Sequence, residues 1–300
     1  MASLHSDAGI PANHWHQVTL GMLIAQEDPR AWRGYSTEAW ARSWGNHELA
    51  ARCAAHPELR RKLRRDETWT MCHDAVIDPD LLVYAVLAYG GANMGPGGRN
   101  NWRVAESMPN LLPLLAELPT LTRAEAYERF RHLRRRRLLR GIGPSFFTKI
   151  MYFFGCKGAY ILDQWLAKSI LALRAQNWRA GACAEPVFEL IDGNGIRLSF
   201  GQGEGIRDSV SGFDYDFFCR ELEALTEKLG LPDGAEVERW VFSSPQSDWR
   251  LFLNTLDWTS PGTHKKRRDA AARYLASRRA LRAEVAAMSF QIILGNHACA

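Results

Sequence analysis

Between residues 139 and 163 the chain runs Leu139-Arg140-Gly141-Ile142-Gly143-Pro144-Ser145, then an apolar helix-forming stretch, then Ile161-Leu162-Asp163. Two glycines one residue apart suit a hairpin between two helices, because glycine accepts positive φ and lets another backbone approach closely. Pro144 fits the first turn of the following helix, where its missing N–H costs nothing and its fixed φ is already helical. Unpaired N–H groups and the positive dipole end at that helix start can hold one anionic oxygen, such as a DNA phosphate. A contact of that kind positions a duplex without reading its sequence, so any chemistry must come from other residues.

Two side chains on this stretch could supply it. Asp163 follows an apolar pair and opens a helix, the ordinary place of an N-cap. Lys149 lies four residues after Ser145, on the same helix face and one turn deeper. It reads either as an amine nucleophile or as a stem packed along the helix with its head on a phosphate, which is lysine's usual behaviour.

The pattern Leu-x-Gly-Ile-Gly, a helix, then Ile-Leu-Asp resembles the helix-hairpin-helix DNA glycosylase superfamily, in the prokaryotic oxoguanine-glycosylase-like branch that includes antiphage enzymes. In many members a catalytic lysine stands two residues after the second glycine and an essential aspartate follows it by 18; Ser145 and Asp163 occupy those positions here. The resemblance implies that Asp163 caps a helix and faces a deoxyribose, where a carboxylate stabilises developing positive charge and orients water. Serine in the lysine slot departs from members with strand-cleaving lyase activity and implies a monofunctional enzyme. The likeness covers roughly residues 79–245 and is specific only at 139–163.

The same resemblance implies contacts to DNA. Gly141, Gly143 and Ser145 would grip a phosphate, with Arg140 beside them. A loop from Ala92 to Arg103 would enter the minor groove, with Asn93, Met94, Asn100 and Asn101 as wedge candidates and Arg99 and Arg103 as further contacts. An ordinary Gly/Asn/Pro turn remains open for that loop. Trp165 would stack on an extruded base or pack in the core.

Composition is compatible with this picture. The 300 residues carry a net charge of +5, and all but seven of the 38 basic residues are arginine. Clusters at 60–65, 134–137 with Arg140, and 265–268 could track a phosphate backbone or form solvated helix faces. Six cysteines without Cys-x-x-Cys spacing offer no metal site and no iron-sulfur cluster. No cofactor is expected, a monovalent cation at the hairpin being left open. The absence of a signal-like N-terminus or an 18-residue apolar run points to a cytoplasmic protein with reduced thiols and no membrane partner.

The chain reads as mainly α, a helix-hairpin-helix glycosylase fold with a small β-hairpin insertion. An N-terminal helical region (1–78) holds Trp40, Trp44, Leu49 and Leu63 as apolar anchors. A core (79–245) follows, with helices predicted at 79–90, 123–139 behind the Thr122/Glu125 capping box, Pro144 to Phe154, and onward from Asp163. Strand-like runs around Asp192-Gly193 place the β-hairpin at about 185–205, and a basic helical extension occupies 246–300.

The expected function is that of a monomeric glycosylase acting on double-stranded DNA. It would flip out a modified base and hydrolyse its N-glycosidic bond to leave an abasic site, with Asp163 carrying the step. The serine slot and the Gly-rich exit of the insertion lean toward a bulky phage base, such as glucosylated hydroxymethylcytosine, in antiviral defence. Two alternatives stand beside it: 8-oxoguanine repair with lyase activity through Lys149, and a non-catalytic DNA-binding module.

Overall fold

The computed structural model describes residues 33–73, 76–91, 102–173, 208–242 and 247–255, together with Trp15, residues 17–24 and a few isolated positions. Regular structure among them is helical apart from one isolated bridge residue, Ile206. No described helix is long and apolar enough to cross a membrane. The chain divides into two compact units, residues 28–170 with 188–244, and residues 1–27, 171–187 and 245–300. In the smaller unit Trp15 is buried, as is Leu23 on α1 (Gln17–Ile24).

The larger unit begins with α2 (Thr37–Ser43) and α3 (His47–Ala54), each started by a side-chain cap: Ser36 accepts from the Ala39 N–H and Asn46 from the Leu49 N–H. Trp40 is fully buried, with the Trp44 ring edge-on at 5.4 Å. After a short 3₁₀ turn at Pro57–Arg60 comes α4 (Arg65–Cys72), then α5 (Pro79–Tyr89). All of α5 from Leu81 to Tyr89 is buried, as its nearly unbroken apolar sequence requires. α6 (Trp102–Glu117) follows.

The capping box forms as the sequence predicts: Thr122 and Glu125 exchange hydrogen bonds and start α7 (Arg123–Arg135). That helix stops four residues earlier than expected. Arg136 caps it and Arg137 takes φ 59°, a left-handed conformation that turns the chain toward the hairpin. α8 (Pro144–Phe153) and α9 (Gln164–Leu173) complete the helix-hairpin-helix region. On α8 Phe147 and Phe153 are buried, while Phe146 and the C-cap residue Phe154 are only half-buried.

α10 (Gly212–Leu229) and α11 (Gly234–Phe242) close the larger unit. α10 crosses α7 so tightly that a Cβ on Gly212 would stand 2.5 Å from the Ala124 carbonyl oxygen. Between these helices the rings of Tyr127 and Tyr215 stack at 4.7 Å, and Phe130 stacks on Phe147 of α8 at 5.1 Å. Burying each such ring stabilises the fold by roughly 1.5–3 kcal/mol. In the smaller unit α12 (Asp248–Thr255) buries Trp249 and Phe252, their rings 5.6 Å apart.

Several sequence-based expectations fall outside the described residues: the β-hairpin at 185–205, the loop positions Asn93, Met94, Arg99, Asn100 and Asn101, and the cluster at 265–268.

Candidate active site

The hairpin is built as its glycines predict, for two different reasons. Gly141 has φ +74°, a conformation that costs an L side chain about 1–2 kcal/mol. Gly143 has φ −88° and open space where a Cβ would be, so nothing in the protein itself demands glycine there. Its small size leaves the start of α8 open to approach from outside. Ser107 on α6 fixes the turn from behind, accepting from the Arg140 N–H at 2.7 Å and donating to its carbonyl at 3.1 Å. Arg134 donates to the Ile142 carbonyl at 2.6 Å and also pairs with Asp208.

The basic clusters sort by partner. Arg140 is exposed but paired with Glu106 at 3.3 Å. Arg135, Arg136 and Arg137 are exposed and form no ion pair among the described residues. Arg103 lies exposed on the first turn of α6. The stretch at 60–65 is not a continuous surface stripe: Arg61 pairs with Glu67 at 2.7 Å, and Arg65 is buried, 7% exposed.

Four residues ahead of α9 are pinned one after another. Tyr160 donates its N–H to the Tyr215 hydroxyl at 3.0 Å, and that hydroxyl donates to the Tyr160 carbonyl at 2.6 Å. Ile161 donates to Glu238 at 3.5 Å, and Leu162 to Thr148 Oγ1 at 3.0 Å. Asp163 then caps α9, its Oδ1 accepting from the N–H groups of Trp165 at 2.9 Å and Leu166 at 3.0 Å. The cap expected from the sequence is therefore present, and Oδ2 takes no part in it.

Asp163 also lines a cavity of about 300 Å³. Lys149 enters that cavity from α8 and Glu238, Arg239 and Phe242 from α11; Arg64, Arg65 and Asp66 come from α4, and Tyr89 and Gly90 from the end of α5. Lys149 is 7% exposed, so of its two readings the burial disfavours a head turned outward to a phosphate. The stem is held too tightly: a Cβ on Gly90 would stand 2.8 Å from Lys149 Cδ. Its ammonium donates to the Ser145 carbonyl at 3.0 Å and lies 5.5 Å from the Phe146 ring centroid. Ser145 thus contributes a backbone acceptor rather than its hydroxyl. Lys149 and Asp163 line the same cavity and form no ion pair with each other, the amine being held by Ser145 and the carboxylate by the start of α9.

Burial drives the Lys149 amine below its ordinary pKa, against the pull of Asp163 and Glu238. Glu238 is almost fully buried and ion-paired with Arg65, whose guanidinium stacks 4.1 Å from the centre of the Tyr152 ring. Burial pushes the Glu238 carboxyl up while Arg65 draws it back down. On Arg65 the cost of burial is overcome by the Glu238 carboxylate, so the guanidinium keeps its charge.

Trp165, a candidate base stacker, is half-buried with the Lys168 ammonium 4.8 Å from its ring, and it is not among the described residues lining the cavity. The aromatic walls are Tyr89 and Phe242. Sequence reasoning also missed Arg65 and Glu238; the only available signal was an arginine inside a basic run with a glutamate on an otherwise apolar helix face.

A family described as "Putative 8-oxoguanine DNA glycosylase OGG-like protein" matches residues 27–242. That span takes in the hairpin, both cavity-facing groups and α11. The chain belongs to this OGG-like glycosylase family. No curated protein and no solved structure matches it. Membership makes DNA the substrate class, and the mainly helical character of the described residues agrees with an OGG-like fold.

Proposed function

We propose that this OGG-like chain extrudes a modified base from duplex DNA and cleaves its N-glycosidic bond with the Lys149 amine as nucleophile. The burial of that amine on the same cavity as Asp163 carries the reading. A desolvated lysine is more readily neutral near physiological pH, and only the neutral amine has a lone pair to give. Nζ attacks C1′ of the everted sugar, the C1′–N bond breaks, and its electron pair leaves with the base, which takes up a proton. Asp163 stabilises the positive charge that builds on the sugar. The amine proton passes to O4′ as the C1′–O4′ bond breaks, leaving an iminium between Nζ and C1′; loss of a C2′ proton then expels the 3′-phosphate by β-elimination and nicks the strand.

Ser145 in the usual lysine slot favours a monofunctional enzyme; Lys149 in the cavity supports the lyase-competent alternative instead. It also removes one of the two grounds for a bulky phage base, and the other, the Gly-rich exit after residue 200, lies outside the described residues. Oxidised guanine is accordingly the first substrate. A pure binding module would have no use for a buried amine on the same cavity as a carboxylate.

The test is mass spectrometry of bases released from an 8-oxoguanine duplex and from glucosylated-cytosine phage DNA. Release of 8-oxoguanine with strand nicking is expected. Release of only the glucosylated base would reassign the substrate, and no release from either would remove the enzyme reading.

A further inference from the structure

Arg65 lies outside the helix-hairpin-helix region, yet its buried guanidinium reaches the cavity that holds Lys149. One oxygen of Glu238, Oε2, receives both the Arg65 guanidinium and the Ile161 N–H. A single carboxylate therefore joins α4, α11 and the segment that presents Asp163. Isolated, a carboxylate this deep would hold a nearby amine in its charged form.

We propose that the Arg65–Glu238 pair is a positioning device for the reacting amine: Glu238 anchors the backbone ahead of Asp163, and Arg65, paired with it, offsets the negative charge that Glu238 would otherwise direct at Lys149. This rests on the nucleophile reading above. Neither residue need touch the sugar.

The charge balance around Lys149 agrees. Asp163, ahead of α9, and Glu238, from α11, favour its protonated form, while Arg65, from α4, opposes it. Arg64 at the N-cap of α4, Asp66 on α4 and Arg239 on α11 also line the cavity, as does Tyr89 on α5, whose phenol is raised by burial. Within this set Arg65 is the cation buried against an acid, so removing either member of the pair changes the field at Lys149 in a known direction. Glu238→Gln leaves an amide oxygen for the Ile161 N–H and takes away a negative charge; Arg65→Met takes away a positive one.

The experiment is a titration of the Lys149 Cε resonance in full-length ¹³C-lysine protein, the signal being assigned by its loss in Lys149→Met. Glu238→Gln is expected to move the titration to lower pH, by about one pH unit, the size of a close charge–charge effect. Arg65→Met is expected to move it upward, and Arg65→Lys to restore it. The acid limb of the base-release rate should follow the same two directions, which a merely structural role would not produce. Shifts of the same sign, or an unmoved resonance in both variants, overturn the proposal. If Arg65→Met does not fold, Glu238→Gln decides alone, and an unmoved resonance there overturns it. The NMR readout is independent of turnover, so failure of the nucleophile reading appears separately, as absence of a covalent DNA adduct.

Discussion

Thr148 Oγ1 accepts the Leu162 N–H at 3.0 Å, joining the helix that carries Lys149 to the segment that carries Asp163. The same hydroxyl donates to the Pro144 carbonyl at 2.9 Å, so its hydrogen is already engaged and its lone pairs face Leu162. Thr148→Val keeps the shape and leaves a buried N–H without an acceptor. A loss of about 1–3 kcal/mol is expected, together with a fall in base release larger than the stability change explains. Thr148→Ser should restore both. Chemical denaturation and single-turnover kinetics on the three proteins check this.

Gly90 has an ordinary φ of −73° and lies against the Lys149 stem because it lacks a side chain. Gly90→Ala should leave the fold intact and displace the amine. Misplacement of about 1 Å can cost on the order of a hundredfold in rate. An Ala variant with full activity would show that the stem adjusts freely.

The helical architecture, the capping box at Thr122, the glycine hairpin and the Asp163 cap were legible in the sequence because each is a local pattern with a local cause. The position of Lys149 was half legible: its four-residue spacing from Ser145 placed it on the right face. What buries it is Gly90, some 59 residues earlier in the chain. Arg65 was hidden inside a run of basic residues, since nothing nearby in sequence reveals that its partner is Glu238, 173 residues away. For Trp165 the sequence left stacking and core packing both open; Tyr89 and Phe242 line the cavity, and each comes from an element distant in sequence.

The two hairpin glycines should separate stability from binding. Gly141→Ala forces a side chain into positive φ and should cost about 1–2 kcal/mol. Gly143→Ala should leave the melting temperature unchanged and weaken binding to an abasic-site duplex. Replacing Arg135, Arg136 and Arg137 with glutamine should weaken binding to any sequence and flatten the salt dependence by up to about 0.9 in log–log slope for each phosphate no longer neutralised. Fluorescence anisotropy across a salt series measures both effects.

Lys149→Met should abolish activity without costing stability. In the folded protein the amine's pKa lies below its unfolded value near 10.5, so folding disfavours the charged form. That penalty is complete at pH below the folded pKa and disappears as pH rises toward about 10.5. The variant should therefore equal or exceed the parent in stability near neutral pH, with the gap closing in alkali. For the same reason base release by the parent should rise with pH as the amine loses its proton. Denaturation midpoints from pH 6 to 10 test the stability sign, and a pH–rate profile tests the kinetic one.

Asp163→Asn preserves the cap on α9, because asparagine accepts the same N–H bonds, and should remove most of the rate while leaving the fold and DNA binding unchanged. Asp163→Ala loses the cap as well and should cost about 1 kcal/mol more. Equal activity in parent and Asp163→Asn would separate the carboxylate from the chemistry.

Borohydride trapping bears most directly on the role of Lys149. Incubated with an 8-oxoguanine duplex and reductant, the parent should form a covalent protein–DNA adduct whose peptide map places the link on Lys149, and Lys149→Met should form none. An adduct at another residue, or base release by the parent with no adduct at all, would contradict the amine mechanism.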